Sequence, residues 1–141
     1  VYGVGSDSNV LIDLSGELRQ LEYSQRLRDR RRALLAEEDA PTGVALWRAA
    51  ANGGARACGR ALGTLAPGMR ADLVTLDADH PALIGKTGET ALDSAIFATT
   101  ALPVRDVVVG GRHLVAEGRH RGRERVKSRF GSVMRKLLAA L

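Results

Sequence analysis

Residues 63–77 read GTLAPGMRADLVTLD, and this stretch decides the fold of the second half of the chain. Pro67 and Gly68 predict a turn, because proline presets its own φ angle and glycine accepts a positive one. Residues 71–77 then favour a β-strand, since they are rich in aliphatic side chains and follow directly on turn residues. A β-rich unit therefore begins near Leu62.

The residues that follow continue this unit. Residues 104–109 and 112–116 predict two strands, and Gly110 and Gly111 between them are typical of a tight hairpin turn. Residues 92–99 are apolar, but their pattern does not distinguish a helix from a strand. Residues 123–141 predict a helix whose apolar side chains fall on one stripe.

The first part of the chain has a different pattern. Residues 1–5 predict the end of a buried strand that runs into a polar loop. Ser15 is the expected N-cap of a helix over residues 15–38. After a break at Pro41, we expect a helix over residues 43–52 and a short one near 55–58. Strand, loop and helix in this order are typical of one βα element of an α/β barrel.

Composition excludes several classes of protein. With 141 residues, of which 45% are hydrophobic, the chain is large enough to bury a core. The single cysteine excludes an internal disulfide and suits a reducing compartment. No apolar run approaches the roughly 20 residues of a membrane-spanning helix. No secretory signal precedes the strand-like opening, so we expect a cytoplasmic protein and a piece of a longer chain.

The net charge of +5 is concentrated at the C-terminal end, where residues 105–141 carry ten basic and three acidic side chains. Such a basic segment could bind nucleic acid or an anionic membrane surface. It contains one aromatic residue, Phe130, and its apolar stripe requires burial. We therefore favour a helix that packs on a barrel with its charges outward, and we expect neither nucleic acid nor membrane as a partner.

Asp7 is the candidate catalytic residue. It lies in a polar loop at the carboxyl end of the predicted strand, on the face where α/β barrels carry their active sites. A carboxylate at this position could bind a divalent metal or accept a proton from water. It could equally be a turn residue whose side chain accepts backbone N–H groups. The local sequence alone leaves both interpretations open.

Three blocks together resemble the amidohydrolase superfamily. They are Gly5-Ser6-Asp7-Ser8, residues 16–28 (GELRQLEYSQRLR) and residues 63–77. The third block looks like the hallmark of the small β-sandwich domain of that superfamily. Residues 21–28, with 104–113 and 118–120, are more particular, and they are similar to the formimidoylglutamate deiminases within it.

The resemblance implies a fold and a metal site. The fold class is α/β: a C-terminal portion of a metal-dependent (β/α)8 barrel, with the second half of a small β-sandwich domain. The family holds one divalent metal, usually zinc, with a His-x-His pair, a further His and an Asp. Asp7 matches the Asp and would serve as metal ligand and catalytic residue. His80, His113 and His120 do not match the other ligands, and no substrate-binding residue is assigned.

The resemblance also implies an activity and an organisation. The expected reaction is the hydrolysis of N-formimino-L-glutamate to N-formyl-L-glutamate and ammonia in histidine degradation, with this chain inactive alone. Alternatives are another deaminase of the superfamily, acting on a purine, pterin or triazine ring, a basic nucleic-acid-binding module, or a structural remnant. The expected domains are the end of the barrel (1–61), the β-sandwich domain (62–118) and a C-terminal helix (119–141). The partners implied are a small-molecule substrate and, in a full-length enzyme, a second copy.

Overall fold

The computed structural model describes residues 2–141, which form four helices and one antiparallel sheet. The helices are α1 (Leu14–Asp29), α2 (Thr42–Cys58), α3 (Gly88–Phe97) and α4 (Arg123–Leu138). The strands are β1 (Leu73–Leu76), β2 (Val104–Val109), β3 (Arg112–Ala116) and β4 (Arg119–His120). This arrangement confirms an α/β chain, and the barrel itself stays a prediction.

The sheet has the order β1-β2-β3-β4, with each strand antiparallel to its neighbour. β2 and β3 occupy the predicted residues, and Gly110 and Gly111 between them have φ angles of 57° and 75°. Two consecutive positive φ angles match the twist of a hairpin, and glycine adopts them without strain. β1 is shorter than expected, because only Leu73–Leu76 pairs with β2.

The helical part packs around three fully buried side chains, Leu18 of α1, Leu46 of α2 and Ile96 of α3. The Arg19 guanidinium joins two of these helices, donating to the carbonyl oxygens of Ile96 at 2.8 Å and Thr99 at 2.6 Å. Helix α3 thus completes a core with two helices that precede residue 61. The predicted domain boundary at that residue stays a prediction.

The segment at the start of the chain is not a hydrogen-bonded strand. Val1 lies outside the described residues, and residues 2–6 carry no strand pairing among those that are described. They nevertheless alternate between half-buried and exposed positions, as a strand does. A strand needs a neighbour to bond with, and within residues 2–141 none lies beside this segment. The prediction of a buried strand over residues 1–5 is therefore not confirmed within residues 2–141, although the alternation of exposure follows the predicted pattern.

The helix boundaries also differ from the predictions. The first helix ends at Asp29, not near residue 38, and Arg30 takes the left-handed conformation with φ 53°. Its N-cap is Asp13, not Ser15, because the Asp13 carboxylate accepts the Gly16 N–H at 2.6 Å. The two helices expected over residues 43–58 are one continuous helix.

No residue of α4 is buried in the described chain, so the packing of this helix on a barrel stays a prediction. None of the helices described for residues 2–141 combines the length and the apolar character needed to cross a membrane.

Candidate active-site loop

Asp7 lies on a tight turn that follows the strand-like segment. The Asn9 N–H donates to the Ser6 carbonyl oxygen at 2.6 Å and closes the turn around Asp7 and Ser8. The φ angle of Asp7 is 41°, in the left-handed region that aspartate tolerates better than most residues. Its side chain is exposed. The backbone holds this turn, and among residues 2–141 no hydrogen bond to the Asp7 carboxylate closes it. The carboxylate therefore remains available for a ligand.

The strand-like segment sits against α2 through glycine. A Cβ atom on Gly53 would overlap the carbonyl oxygen of Tyr2, and one on Gly3 would lie 3.4 Å from the Gly54 nitrogen. This close approach lets Tyr2 and Val4 pack against the core, and the Tyr2 hydroxyl donates to the Leu46 carbonyl at 3.4 Å. Burial raises the pKa of Tyr2, and the Glu37 charge adds to the effect. The fit to α2 fixes the direction in which the chain enters the Asp7 turn.

Two further side chains hold the far side of the loop. The Asn9 amide donates to Glu17 Oε1 at 2.7 Å, and Asp13 caps α1 by accepting from the Gly16 N–H and from the Ser15 hydroxyl at 2.7 Å. The loop of residues 6–13 is thus tied to the first turn of α1 at two points. Sequence reasoning missed Asn9 and Glu17, because their contact spans eight residues and belongs to no local capping pattern.

A groove of about 480 Å³ runs beside the strand-like segment. Residues 2–5 form one wall, and Glu17, Leu21 and Leu35 of the helical part form the other. The groove therefore adjoins the segment that precedes the Asp7 turn.

Glu22 organises the loop after α1. Its side chain is fully buried, and its carboxylate accepts from Arg26 Nε at 2.6 Å and from the N–H groups of Leu34 and Leu35 at 3.2 and 3.0 Å. The Arg26 guanidinium in turn lies over the rings of Tyr23 and Phe97, 5.2 and 5.5 Å from their centroids. A buried carboxylate with this many donors has its lone pairs satisfied. The block of residues 16–28 therefore stabilises the wall of the groove.

Each of the three histidines makes a hydrogen bond within the described chain. The Nδ1 atoms of His80 and His120 accept the backbone N–H two residues further on, at 3.2 and 3.0 Å. His113 Nε2 lies 2.9 Å from Asp106 Oδ1 on the sheet. Partial burial acts to raise the pKa of Asp106, but the hydrogen bonds from Thr75 and His113 outweigh it and lower that pKa.

The described residues contain no group of three or more His, Cys, Asp or Glu side chains that could hold a metal ion. The exposed carboxylate of Asp7 presents oxygen atoms of the kind that zinc and other divalent ions accept as ligands. Its roles as metal ligand and catalytic residue stay predictions. Asp7 is thus a single candidate ligand, and the described residues hold no full set of ligands around a metal ion.

Comparison with known proteins defines the class of this chain. The model of the amidohydrolase family matches residues 2–114. The chain belongs to the amidohydrolase family, which confirms the resemblance carried by the Asp7 loop, the α1 block and residues 63–77.

Two curated relatives within this family are similar to the chain. The chain is similar to a formimidoylglutamate deiminase from Pseudomonas aeruginosa, with 47% identity over 96% of the chain and 30% of the relative. It is also similar to a 5-methylthioadenosine/S-adenosylhomocysteine deaminase from Desulfitobacterium hafniense, with 33% identity over 83% of the chain and 26% of the relative. The chain thus spans less than a third of the length of the curated relatives it matches.

Solved structures agree with this grouping. A crystal structure of an amidohydrolase from Brucella melitensis superposes with a TM-score of 0.84 and 44% identity, over 96% of this chain and 30% of that one. An atrazine chlorohydrolase from Arthrobacter aurescens, crystallised with zinc, superposes with a TM-score of 0.73 and 28% identity, over 91% of this chain and 28% of that one. The described fold is therefore one that amidohydrolases share.

Proposed function

We propose that this chain is part of a metal-dependent deiminase that hydrolyses N-formimino-L-glutamate to N-formyl-L-glutamate and ammonia. The observation that carries the proposal is the 47% identity to a formimidoylglutamate deiminase over 96% of the chain. The aligned region of 137 residues is long enough to take in the Asp7 loop and both helices that form its support. The chain alone is expected to be inactive, because it supplies a single candidate metal ligand.

In this proposal, Asp7 moves the proton. A bound divalent cation would lower the pKa of a water molecule toward neutrality and so supply the nucleophile. The Asp7 carboxylate accepts a proton from the attacking water as oxygen adds to the formimino carbon. Both protons of the water end on the leaving nitrogen: Asp7 returns the first, and the second comes from the added hydroxyl as it becomes the carbonyl oxygen, so that the nitrogen leaves as ammonia. One water enters, one ammonia leaves, and the C–N double bond is replaced by C=O.

The position of Asp7 suits this task. An exposed carboxylate on a turn is open to a ligand, and its two oxygens allow one to bind a cation while the other holds a proton. We propose zinc as the metal, on the basis of the zinc complex of the atrazine chlorohydrolase that shares this fold. Elemental analysis of the purified full-length protein tests the metal directly.

The test is ammonia release from N-formimino-L-glutamate by the full-length protein that carries this chain. Asp7→Asn keeps the size and the turn preference of the side chain but removes its basicity. We expect turnover to fall by a factor of about a hundred or more, since general acid–base groups contribute 10²–10⁴. Asp79→Asn, at an exposed loop carboxylate, is the matched control. Full activity of Asp7→Asn would contradict the proposal.

The second candidate is a deaminase that acts on a ring amine. The 33% identity to a 5-methylthioadenosine/S-adenosylhomocysteine deaminase and the superposition on an atrazine chlorohydrolase favour it over unrelated activities. Ammonia release from 5-methylthioadenosine, with none from N-formimino-L-glutamate, would support this alternative. The homodimer expected from the superfamily stays a prediction, which sedimentation of the full-length protein tests.

A further inference from the structure

Asn9 holds the Asp7 turn in two ways at once. Its backbone N–H closes the turn by donating to Ser6, at 2.6 Å. Its side-chain amide fastens the same turn to α1 by donating to Glu17 Oε1, at 2.7 Å. Glu17 lies in the first turn of α1, where the partial positive charge of the helix N-terminus favours a carboxylate. The turn that carries Asp7 is thus attached to a rigid element.

The remainder of the loop gives no such support. Val10, Leu11 and Ile12 have exposed fractions of 98%, 67% and 82%. Within residues 2–141 these three residues form no hydrogen bonds that hold the loop. Asp13 anchors the other end of the loop but lies beyond this exposed stretch. The contact between Asn9 and Glu17 is therefore the direct link from the Asp7 turn to the helix.

We propose that Asn9 and Glu17 are positioning residues, whose hydrogen bond fixes where the Asp7 carboxylate lies during the reaction. This inference rests on the proposed function, in which Asp7 binds the metal and moves the proton. A displacement of about 1 Å at a reacting group can cost roughly a hundredfold in rate. Side chains that orient a metal ligand typically contribute about 10–100-fold in metal affinity or activity.

Exchanging the two chemical groups tests the hydrogen bond itself. Asn9→Asp places a second carboxylate opposite Glu17, so the donor is lost and the two charges repel. The double substitution Asn9→Asp with Glu17→Gln restores a hydrogen bond of reversed direction, because the new amide at position 17 donates to the new carboxylate at position 9. A purely local defect at position 9 would not be corrected by the second substitution.

In the full-length protein, we expect Asn9→Asp to lower kcat about tenfold with little change in KM. We expect the same variant to weaken Zn²⁺ binding about tenfold in competition with a chelator. The double variant is expected to recover most of both losses. Glu124→Gln is the matched control, because Glu124 also lies in the first turn of its helix and accepts a hydrogen bond, from Arg119 at 3.3 Å. It is expected to change neither quantity.

The outcomes distinguish a failure of the positioning role from a failure of the proposed function. Wild-type kcat and Zn²⁺ affinity in Asn9→Asp, or no recovery in the double variant, would overturn the positioning role. Glu17→Ala removes the acceptor without adding a charge, and it replaces Asn9→Asp in the comparison if that variant fails to fold. Asp7→Asn is measured in the same series. If Asp7→Asn is inactive while Asn9→Asp is normal, only the positioning role fails; if Asp7→Asn is fully active, the proposed function fails.

Discussion

At the scale of single residues, Asp7 combines an exposed carboxylate with a backbone conformation that most side chains avoid. Its φ of 41° is imposed by the turn that the Ser6 carbonyl and the Asn9 N–H close. Backbone strain that persists in a structure must be held by its surroundings, and it is often found at functional sites. Here the surroundings are the glycine contact with α2 on one side and the hydrogen bond to Glu17 on the other.

This conformation predicts how stability responds to substitution. Asparagine tolerates a positive φ almost as well as aspartate, whereas alanine has no polar side chain to compensate for it. We expect Asp7→Ala to lower the free energy of unfolding by about 1 kcal/mol more than Asp7→Asn. Urea unfolding of the 141-residue chain, monitored by circular dichroism, measures the difference. Ser8→Ala, at the neighbouring turn position, is the control and should stay within about 0.5 kcal/mol of wild type. Equal stability of the two Asp7 variants would contradict this account.

At the scale of elements, local sequence patterns predicted correctly the elements whose formation depends on neighbouring residues. The hairpin of β2 and β3 was predicted to the residue, because Gly110 and Gly111 accept the turn and the flanking strands are aliphatic. The start of α4 at Arg123 was also predicted correctly.

Two of the errors occurred where a residue distant in the sequence decides the outcome. The helix expected to reach residue 38 ends at Asp29. In the loop that follows, the N–H groups of Leu34 and Leu35 donate hydrogen bonds to the Glu22 carboxylate. The helices expected over residues 43–52 and near 55–58 are one continuous helix, and Gly53 between them is the point at which the Tyr2 backbone packs on it. Helix α3 was left unassigned, although the capping box of Thr87 and Thr90 was a readable signal. The same reason explains the candidate site, where Asp7 was identified from its motif but its support by Asn9 and Glu17 was not.

The N-terminus of α2 shows how one element completes another. Its N-cap, Pro41, offers no side-chain acceptor, and the Gly43 N–H instead donates to Asp93 Oδ1 of α3 at 2.6 Å.

We expect Asp93→Ala to lower the free energy of unfolding by about 1 kcal/mol, the usual contribution of a capping side chain. Asp93→Asn keeps an acceptor oxygen and should cost less than half as much. The control is Asp79→Ala, which removes an exposed carboxylate from the loop before α3. Chemical unfolding measures these free energies. If Asp93→Ala lowers the free energy of unfolding no more than the control does, the capping role is refuted.

At the scale of the whole molecule, burial is uneven. The core lies among α1, α2 and α3, whereas α4 buries no residue and exposes Val126, Phe130 and Leu137 along one stripe. Basic side chains flank this stripe, so the positive charge of the C-terminal segment is on the surface. The part of the chain that supports Asp7 and the part that carries the net charge are thus different elements.

This division predicts different outcomes for two truncations. A chain that ends at residue 61 keeps Leu18 and Leu46 but loses Ile96, so two of the three residues of the hydrophobic cluster lose the side chain that covers them. Large exposed apolar patches promote association, and we expect this piece to aggregate or to remain partly unfolded. A chain that ends at residue 122 loses only α4, which buries nothing, and should keep its thermal midpoint within about 4 °C. Sedimentation velocity and thermal unfolding distinguish the two. A monomeric, cooperative unfolding transition of residues 1–61 would show that α3 is not required for the core that positions the Asp7 loop.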